Sequence, residues 1–158
     1  MLNPPPQVEL PLRLLVQFQE RYPETPPEII LQAPGRDLYV MATPNESGRI
    51  VLDSVELNAR ALFTTHSAAY KQTITRRPLP KWARYAAGVV LVCDDLGLSV
   101  NGLNAVVGGD EPTGPRYEYT LGVLLAALIH HTAGQIIPNS RLIELVDKAR
   151  REYVETSS

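Results

Sequence analysis

Hydrophobic positions divide the chain into short runs of branched or aromatic residues and longer stretches with helical spacing. Proline, glycine and asparagine turns separate the short runs, which is typical of strands. The predicted strands cover residues 28–32, 38–42, 49–52, 57–65 and 103–107. Apolar residues three and four positions apart predict helices at residues 10–22, 81–96, 117–133 and 140–154. The pattern therefore predicts an antiparallel or mixed sheet combined with several helices.

The two C-terminal helices differ in their patterns. The first is apolar almost all round, which predicts a central position, whereas the last is amphipathic. The residues of the last helix that we expect to face inward are Leu142, Leu145, Val146 and Ala149. We expect Asn139 or Ser140 to cap this helix and Glu144 to lie in its first turn, where the helix dipole favours an acid.

The chain is long enough for one substantial core. It has 158 residues, of which 44% are hydrophobic and 20% charged, and one compact domain is the default at this size. Within it, we assign residues 1–27 to an N-terminal segment with a short helix, which the prolines in residues 23–27 end. Residues 28–158 form the main part of the predicted domain. Gly97 is placed to end the helix at 81–96.

Charge and cysteine content narrow the class of protein. The 15 basic and 17 acidic residues give a net charge of −2, so nothing electrostatic predicts a nucleic acid or an anionic membrane as partner. The single cysteine, Cys93, lies in an apolar run, which indicates a buried thiol and excludes an internal disulfide. The sequence shows neither a secretory signal nor an apolar run of about 18 residues. We therefore expect a cytoplasmic protein with no membrane partner.

No metal site is predicted. His130 and His131 are adjacent on a predicted helix, so their side chains point about 100° apart and cannot chelate one ion together. Asp94 and Asp95 diverge for the same reason, and His66 has no acid beside it in the sequence that would complete a catalytic triad.

The stretch from Gly108 to Thr120 lies where an apolar strand meets an apolar helix, the usual place of a phosphate-binding loop. Such a loop needs small residues, so that backbone N–H groups can approach the anion, and no negative charge at the start of the helix. This sequence offers Tyr117, Glu118 and Tyr119 instead. The stretch has the place of a phosphate loop without its chemistry.

Five sequence blocks carry a resemblance to a known family. They are residues 32–36 (QAPGR), 50–52 (IVL), 82–89 (WARYAAGV), 110–114 (DEPTG) and 142–154 (LIELVDKARREYV). In this order they resemble the N-terminal part of galactokinases, which are members of the GHMP sugar and metabolite kinase family. The resemblance runs from about residue 28 to residue 154. It implies an α+β fold of the GHMP kinase N-terminal type, with a mixed or antiparallel sheet and helices packed on one face.

The resemblance implies altered sugar-binding positions. In the family, the Pro-Gly-Arg turn is followed by acid and histidine side chains that bond the sugar hydroxyls, and here Ala42, Thr43 and Asn45 stand at the glutamate, histidine and aspartate positions. Asn45 remains as the substrate-binding candidate. Arg36 matches the family arginine that stabilises charge on the transferred phosphoryl group, which makes it the catalytic candidate. The alternative is a structural arginine that follows a Pro-Gly turn.

The nucleotide loop departs further from the family. After the glycine that matches Gly114, the family has a glycine, a leucine and three serines, whereas residues 116–120 are Arg, Tyr, Glu, Tyr and Thr. Gly114 and Thr120 remain as cofactor-binding candidates. We expect Glu118 to place a carboxylate where the phosphates would lie, and like charges about 4 Å apart repel by about 4 kcal/mol at an effective dielectric near 20. We also expect the bulk of Tyr117 and Tyr119 to fill the loop.

These departures imply a galactokinase-like protein that is catalytically inactive as it stands and serves as a binding or regulatory module without a cofactor. The alternative is a fragment or split subunit of an ATP-dependent sugar kinase, with Mg-ATP as cofactor, completed by a missing C-terminal part that carries the catalytic aspartate. A half of this kind would expose apolar surface. The expected partners are therefore a second copy of the chain, the missing half or a small sugar.

Overall fold

The computed structural model describes residues 6–98 and 100–156, with side chains from residue 12 onward. The elements, in chain order, are α1 (Pro6–Arg21), β1 (Ile29–Gln32), β2 (Leu38–Pro44), β3 (Ile50–Ser54), β4 (Ala59–Phe63), α2 (Thr65–Ala69), α3 (Arg84–Asp95), β5 (Leu103–Gly109), α4 (Pro115–Thr132) and α5 (Asn139–Ala149). A 3₁₀ turn at Lys81–Ala83 precedes α3, and a π turn at Arg150–Val154 follows α5.

The five strands form one mixed sheet in the order β1-β2-β5-β3-β4. The central strand β5 pairs antiparallel with β2, where Val40 lies opposite Val107, and parallel with β3, where Leu52 lies opposite Ala105. The two outer pairs, β1 with β2 and β3 with β4, are antiparallel. The mixed α+β class predicted from the sequence is confirmed.

Helices α3, α4 and α5 pack together on one face of the sheet. Helix α4 lies in the middle, and most of its residues are buried, which confirms the central position expected from its apolar surface. The four predicted inward-facing residues of α5 are all buried. Cys93 is buried on α3, as expected, and burial raises the pKa of its thiol to about 11. In the part of the chain that the structure describes, no helix is both long and apolar enough to cross a membrane.

The opposite face of the sheet carries α1, which adds a second layer to the one-sided arrangement expected from the resemblance. Leu14 and Phe18 of α1 pack against Tyr39, Met41 and Val106 in a core of their own. The helix begins four residues earlier than predicted, at Pro6. Alternate residues of the central strands thus contribute to two separate cores, which is the period-two pattern of a sheet covered on both faces.

A buried carboxylate ties the end of α1 to the sheet. Asp53 of β3 is almost fully buried, and both of its oxygens accept hydrogen bonds from Arg60, at 2.8 and 3.2 Å. Arg21, at the end of α1, approaches the same carboxylate at 3.6 Å. Buried charges require such partners, because removing them from water is costly.

Three local predictions are wrong. The strand expected at residues 57–65 is shorter, because Thr64 and Ser67 form a reciprocal capping box that starts α2. Helix α5 begins at Asn139 with Pro138 as its N-cap and no side-chain cap, so neither Asn139 nor Ser140 has the expected role. Glu144 lies beyond the first turn of α5 and pairs with Arg141 at 2.9 Å.

Candidate functional site

One end of the sheet gathers the turns that follow β1, β3 and β5. The pairing places Leu38 opposite Gly109 and Ser54 opposite Val107. Because β3 and β5 are parallel, their C-terminal ends lie side by side, and the turn before β2 lies next to them. We call this end, formed by residues 33–37, 54–57 and 109–115, the loop edge.

The β5–α4 connection is held at the loop edge by backbone contacts. Glu111 donates its N–H to the carbonyl of Asp37 at 3.1 Å. A Cβ at Gly109 would collide with that same carbonyl, so only glycine fits there. Helix α4 then begins at Pro115, directly after Gly114, whose φ of 132° also favours glycine. Gly114 provides no side-chain cap. The strand, turn and helix expected around a phosphate loop are thus present, and backbone contacts hold the turn in place.

Tyr117 does not fill this loop, which corrects the expectation from the sequence. Its side chain is fully buried beneath the sheet. Its hydroxyl shares a 2.6 Å hydrogen bond with Ser54 Oγ and lies 3.4 Å from Glu56 Oε1, to which it donates. Burial raises the pKa of Tyr117 above its usual range. Tyr117 has the same helical phase as Leu121 and Leu124, and this periodicity could have identified it as a core residue.

Tyr119 also points away from the loop. Its ring packs edge-on against Tyr85 of α3, with 5.6 Å between centroids, and its hydroxyl donates to Asp147 Oδ1 at 3.1 Å. Burial, with the Asp147 contact, raises the pKa of Tyr119 to about 12. The expected steric block by two tyrosines is therefore wrong. Glu118 does lie in the first turn of α4, where burial raises the pKa of its carboxyl and Lys81 partly lowers it.

The loop edge instead contains a carboxylate that sequence reasoning missed. Glu56, in the β3–β4 turn, accepts the Gly109 N–H at its Oε2 over 3.2 Å. Burial raises the pKa of the Glu56 carboxyl; the hydrogen bonds from Gly109 and Tyr117 oppose this rise, and the charge of Asp110 adds to it. No pattern in the turn identifies Glu56, because only the parallel pairing of β3 with β5 brings the turn to the loop.

The four candidate site residues do not form one cluster. Arg36 is exposed at the loop edge, where its carbonyl accepts a 2.9 Å hydrogen bond from Gln32. Gly114 lies at the same edge. Thr120 is buried more than one turn into α4, and its hydroxyl donates to the Arg116 carbonyl at 2.7 Å.

Asn45 lies at the opposite end of the sheet from Arg36. The two residues flank the seven-residue strand β2, and a strand of that length spans on the order of 20 Å. The side-chain amide of Asn45 donates to Asn104 Oδ1 at 3.0 Å and to the Arg49 carbonyl at 3.2 Å, and its oxygen accepts from Ser47. Asn45 thus organises the β2–β3 turn.

Comparisons with solved structures establish the fold. The galactokinase of Lactococcus lactis, solved in complex with galactose, superposes with a TM-score of 0.67 at 17% identity, over 93% of this chain and 43% of that chain. The fold is that of the GHMP kinases. The mevalonate kinase of Methanococcus jannaschii superposes with a TM-score of 0.55 at 9% identity, over 73% of this chain and 36% of that one. Another mevalonate kinase gives the same score at 10% identity.

Sequence comparisons add nothing to this likeness. No protein-family profile matches the sequence, and no curated protein matches it. The chain spans less than half the length of each of these three kinases.

Proposed function

We propose that this GHMP-kinase-like chain is a binding or regulatory module that does not hold ATP at its β5–α4 loop. The observation that carries the proposal is the hydrogen bond between the Gly109 N–H and the Glu56 carboxylate. A phosphate loop works by leaving such N–H groups free for an anion. At the loop edge, a carboxylate takes the N–H and adds a negative charge of its own. A phosphate oxygen about 4 Å from that charge would be repelled by about 4 kcal/mol at an effective dielectric near 20.

Other donors around the loop support the same conclusion. The Glu111 N–H is bound to Asp37, and the Thr120 hydroxyl is bound to Arg116 within the helix. Glu118 adds a second carboxyl in the first turn of α4, where the helix dipole would otherwise favour a phosphate. A nucleotide would have to displace these contacts without gaining the serine hydroxyls of the family loop.

The test combines binding with turnover. We expect no binding of Mg-ATP by calorimetry at millimolar nucleotide, and no phosphorylation of galactose. Turnover that is lost in Arg36→Ala but kept in Arg49→Ala would refute the proposal. Arg49 is a matched control, because it is an exposed arginine at the far end of the sheet.

The second candidate is a split sugar kinase. It is favoured by the coverage of the galactokinase structure, of which this chain matches 43%. In this case a second polypeptide supplies the remaining part of the active site, and Arg36 at the loop edge stabilises the transferred phosphoryl group. Adding the C-terminal part of a galactokinase would then produce ATP-dependent phosphorylation of a sugar that depends on Arg36. If the mixture shows no such activity, the module proposal is favoured.

We also propose that the chain associates with a second copy in the cytoplasm. Large apolar side chains are exposed on α1, at Leu12, and on the edge strand, at Ile30. Exposed apolar surface of this kind is typical of interfaces. Light scattering coupled to gel filtration measures the mass directly, and a monomer at high concentration would contradict this part of the proposal.

A further inference from the structure

A cavity of about 550 Å³ lies between α1 and the loop edge. Its apolar wall is formed by Leu14, Val16 and Val55, and its charged groups are Glu56, Arg13 and Asp110. A volume of this size, with apolar walls and few polar groups, is typical of sites for small organic ligands. None of the four candidate residues from the sequence lines it.

The cavity depends on the close approach of α1 to β5. A Cβ at Gly108 would lie 3.2 Å from Leu14 Cδ1 and 3.4 Å from Val55 Cβ, so the glycine allows the helix to rest directly on the strand. Leu14 is itself almost fully buried. This end of the cavity is therefore held by packed side chains.

Glu56 is an exposed carboxylate at the mouth of the cavity, and it has no cation as partner. Among the residues whose side chains the structure describes, none forms a salt bridge with it. Its hydrogen bonds from Gly109 and Tyr117 are long, at 3.2 and 3.4 Å. An ionised carboxylate offers about four acceptor sites, so about two remain for a ligand.

The other charged groups of the cavity do not compensate Glu56. The guanidinium of Arg13 lies 3.9 Å from the carboxylate of Asp110, and the two side chains are 69% and 65% exposed. This pair is nearly neutral as a unit, and the remaining charge of the cavity is the negative one on Glu56. The complement of a lone carboxylate beside an apolar wall is a cation with an apolar body.

We propose that this cavity binds a small primary amine in its protonated form. The ammonium group donates to the Glu56 carboxylate, and the apolar body of the ligand lies against Leu14, Val16 and Val55. The inference gives the proposed binding module its ligand class. It does not require the loop to be inactive, because the amine lies on the α1 side of the sheet.

The binding should depend on pH. An ammonium favours the ionised carboxylate, so the affinity should rise as pH increases through the raised pKa of Glu56. The groups that face Glu56 are Arg13 from α1, Asp110 from the β5–α4 loop and Tyr117 from α4.

The experiment is an NMR titration of the ¹⁵N-labelled chain with 2-phenylethylamine and with its neutral analogue 2-phenylethanol. We expect the amine to shift the backbone amides of Val55, Gly108 and Gly109 at millimolar concentration. The amine should bind about tenfold or more tightly than the alcohol, because a hydrogen bond to a charged partner exceeds a neutral one by about that factor. Equal affinity of the two probes, or no shift from the amine, would overturn the proposal.

Two variants locate the charge that is responsible. Glu56→Gln keeps the shape of the side chain and should weaken amine binding about tenfold, with no effect on the alcohol. Asp110→Asn removes a carboxylate of the same cavity that is already paired with Arg13, so it should change the affinity less than threefold, which corresponds to less than about 0.6 kcal/mol. An unchanged affinity in Glu56→Gln would refute the assignment. If this variant does not fold, the comparison of amine and alcohol on the unmodified chain still decides.

A titration with Mg-ATP on the same sample separates this inference from the proposed function. Amine binding together with ATP binding would keep the cavity and overturn the proposal about the loop. Absence of both would overturn the amine site and leave the loop proposal standing.

Discussion

The hydroxyl of Tyr117 is the most direct test of how the loop edge is assembled. Tyr117→Phe removes a buried group that bonds Ser54 Oγ at 2.6 Å and Glu56 Oε1 at 3.4 Å. The Ser54 oxygen still accepts the Leu57 N–H at 3.2 Å, so Ser54 loses only one of its two hydrogen-bond partners. A neutral hydrogen bond contributes about 1 kcal/mol and the long contact to Glu56 adds less, which gives a destabilisation of about 1–2 kcal/mol.

Urea unfolding and thermal melting measure this change. For a chain of this size, 1–2 kcal/mol corresponds to a fall in Tm of about 3–6 °C, without a change in the urea m-value. Tyr70→Phe is the matched control, because Tyr70 is 66% exposed. It should change the free energy of unfolding by less than about 0.5 kcal/mol.

A double-mutant cycle with Ser54→Ala shows whether the two hydroxyls act together. If they share the hydrogen bond, Ser54→Ala and Tyr117→Phe combined should cost about 1 kcal/mol less than the sum of the single changes. The reasoning would be refuted by additive effects, or by a Tyr117→Phe protein as stable as the parent. Either result would mean that Tyr117 is held by its ring alone.

Three further predictions concern the core. Asp53→Ala should cost about 2–4 kcal/mol in urea unfolding, because it leaves Arg60 without its bidentate partner; the value is moderated by the partial exposure of Arg60. Gly88→Ala should cost about 1–3 kcal/mol in the same assay, since its new methyl group would lie 2.9 Å from Tyr153 Cδ2. Cys93, whose thiol is buried with its pKa raised to about 11, should react with a thiol reagent near neutral pH only as fast as the protein opens.

The Asp53→Ala prediction has a matched control, and the other two have outcomes that would contradict them. Glu144→Ala breaks an exposed ion pair and should change stability by less than about 1 kcal/mol. An unchanged stability in Gly88→Ala would show that α3 and the π turn after α5 are not in close contact. Thiol labelling that is as fast in native buffer as in urea would contradict the burial of Cys93.

Much of the fold could be predicted from the sequence because it follows from local periodicity. The inward face of α5 and the central position of α4 depend only on spacing within one helix. The same rule could have placed Tyr117 in the core, since it lies four residues before Leu121. The resemblance to a phosphate loop directed attention to its position in the motif instead of its helical phase.

Local periodicity could not predict which residues meet at the loop edge. Glu56 reaches Gly109 across 53 positions of the chain, and only the parallel pairing of β3 with β5 brings them together. Matching by sequence position likewise grouped Arg36 with Asn45. The extended strand β2 lies between these two residues and holds them far apart, and a sequence motif does not record that distance.

The central place of β5 has a consequence for how the chain assembles. The β1–β2 and β3–β4 hairpins can each form from nearby residues, but both depend on β5 to become one sheet. On a ribosome, residues 103–109 emerge about 50 residues after β3 has been made. Until then, the inner edges of β2 and β3 carry unpaired N–H and C=O groups that any other extended strand could occupy. The interval before β5 emerges is therefore when this chain is most exposed to mispairing with its neighbours.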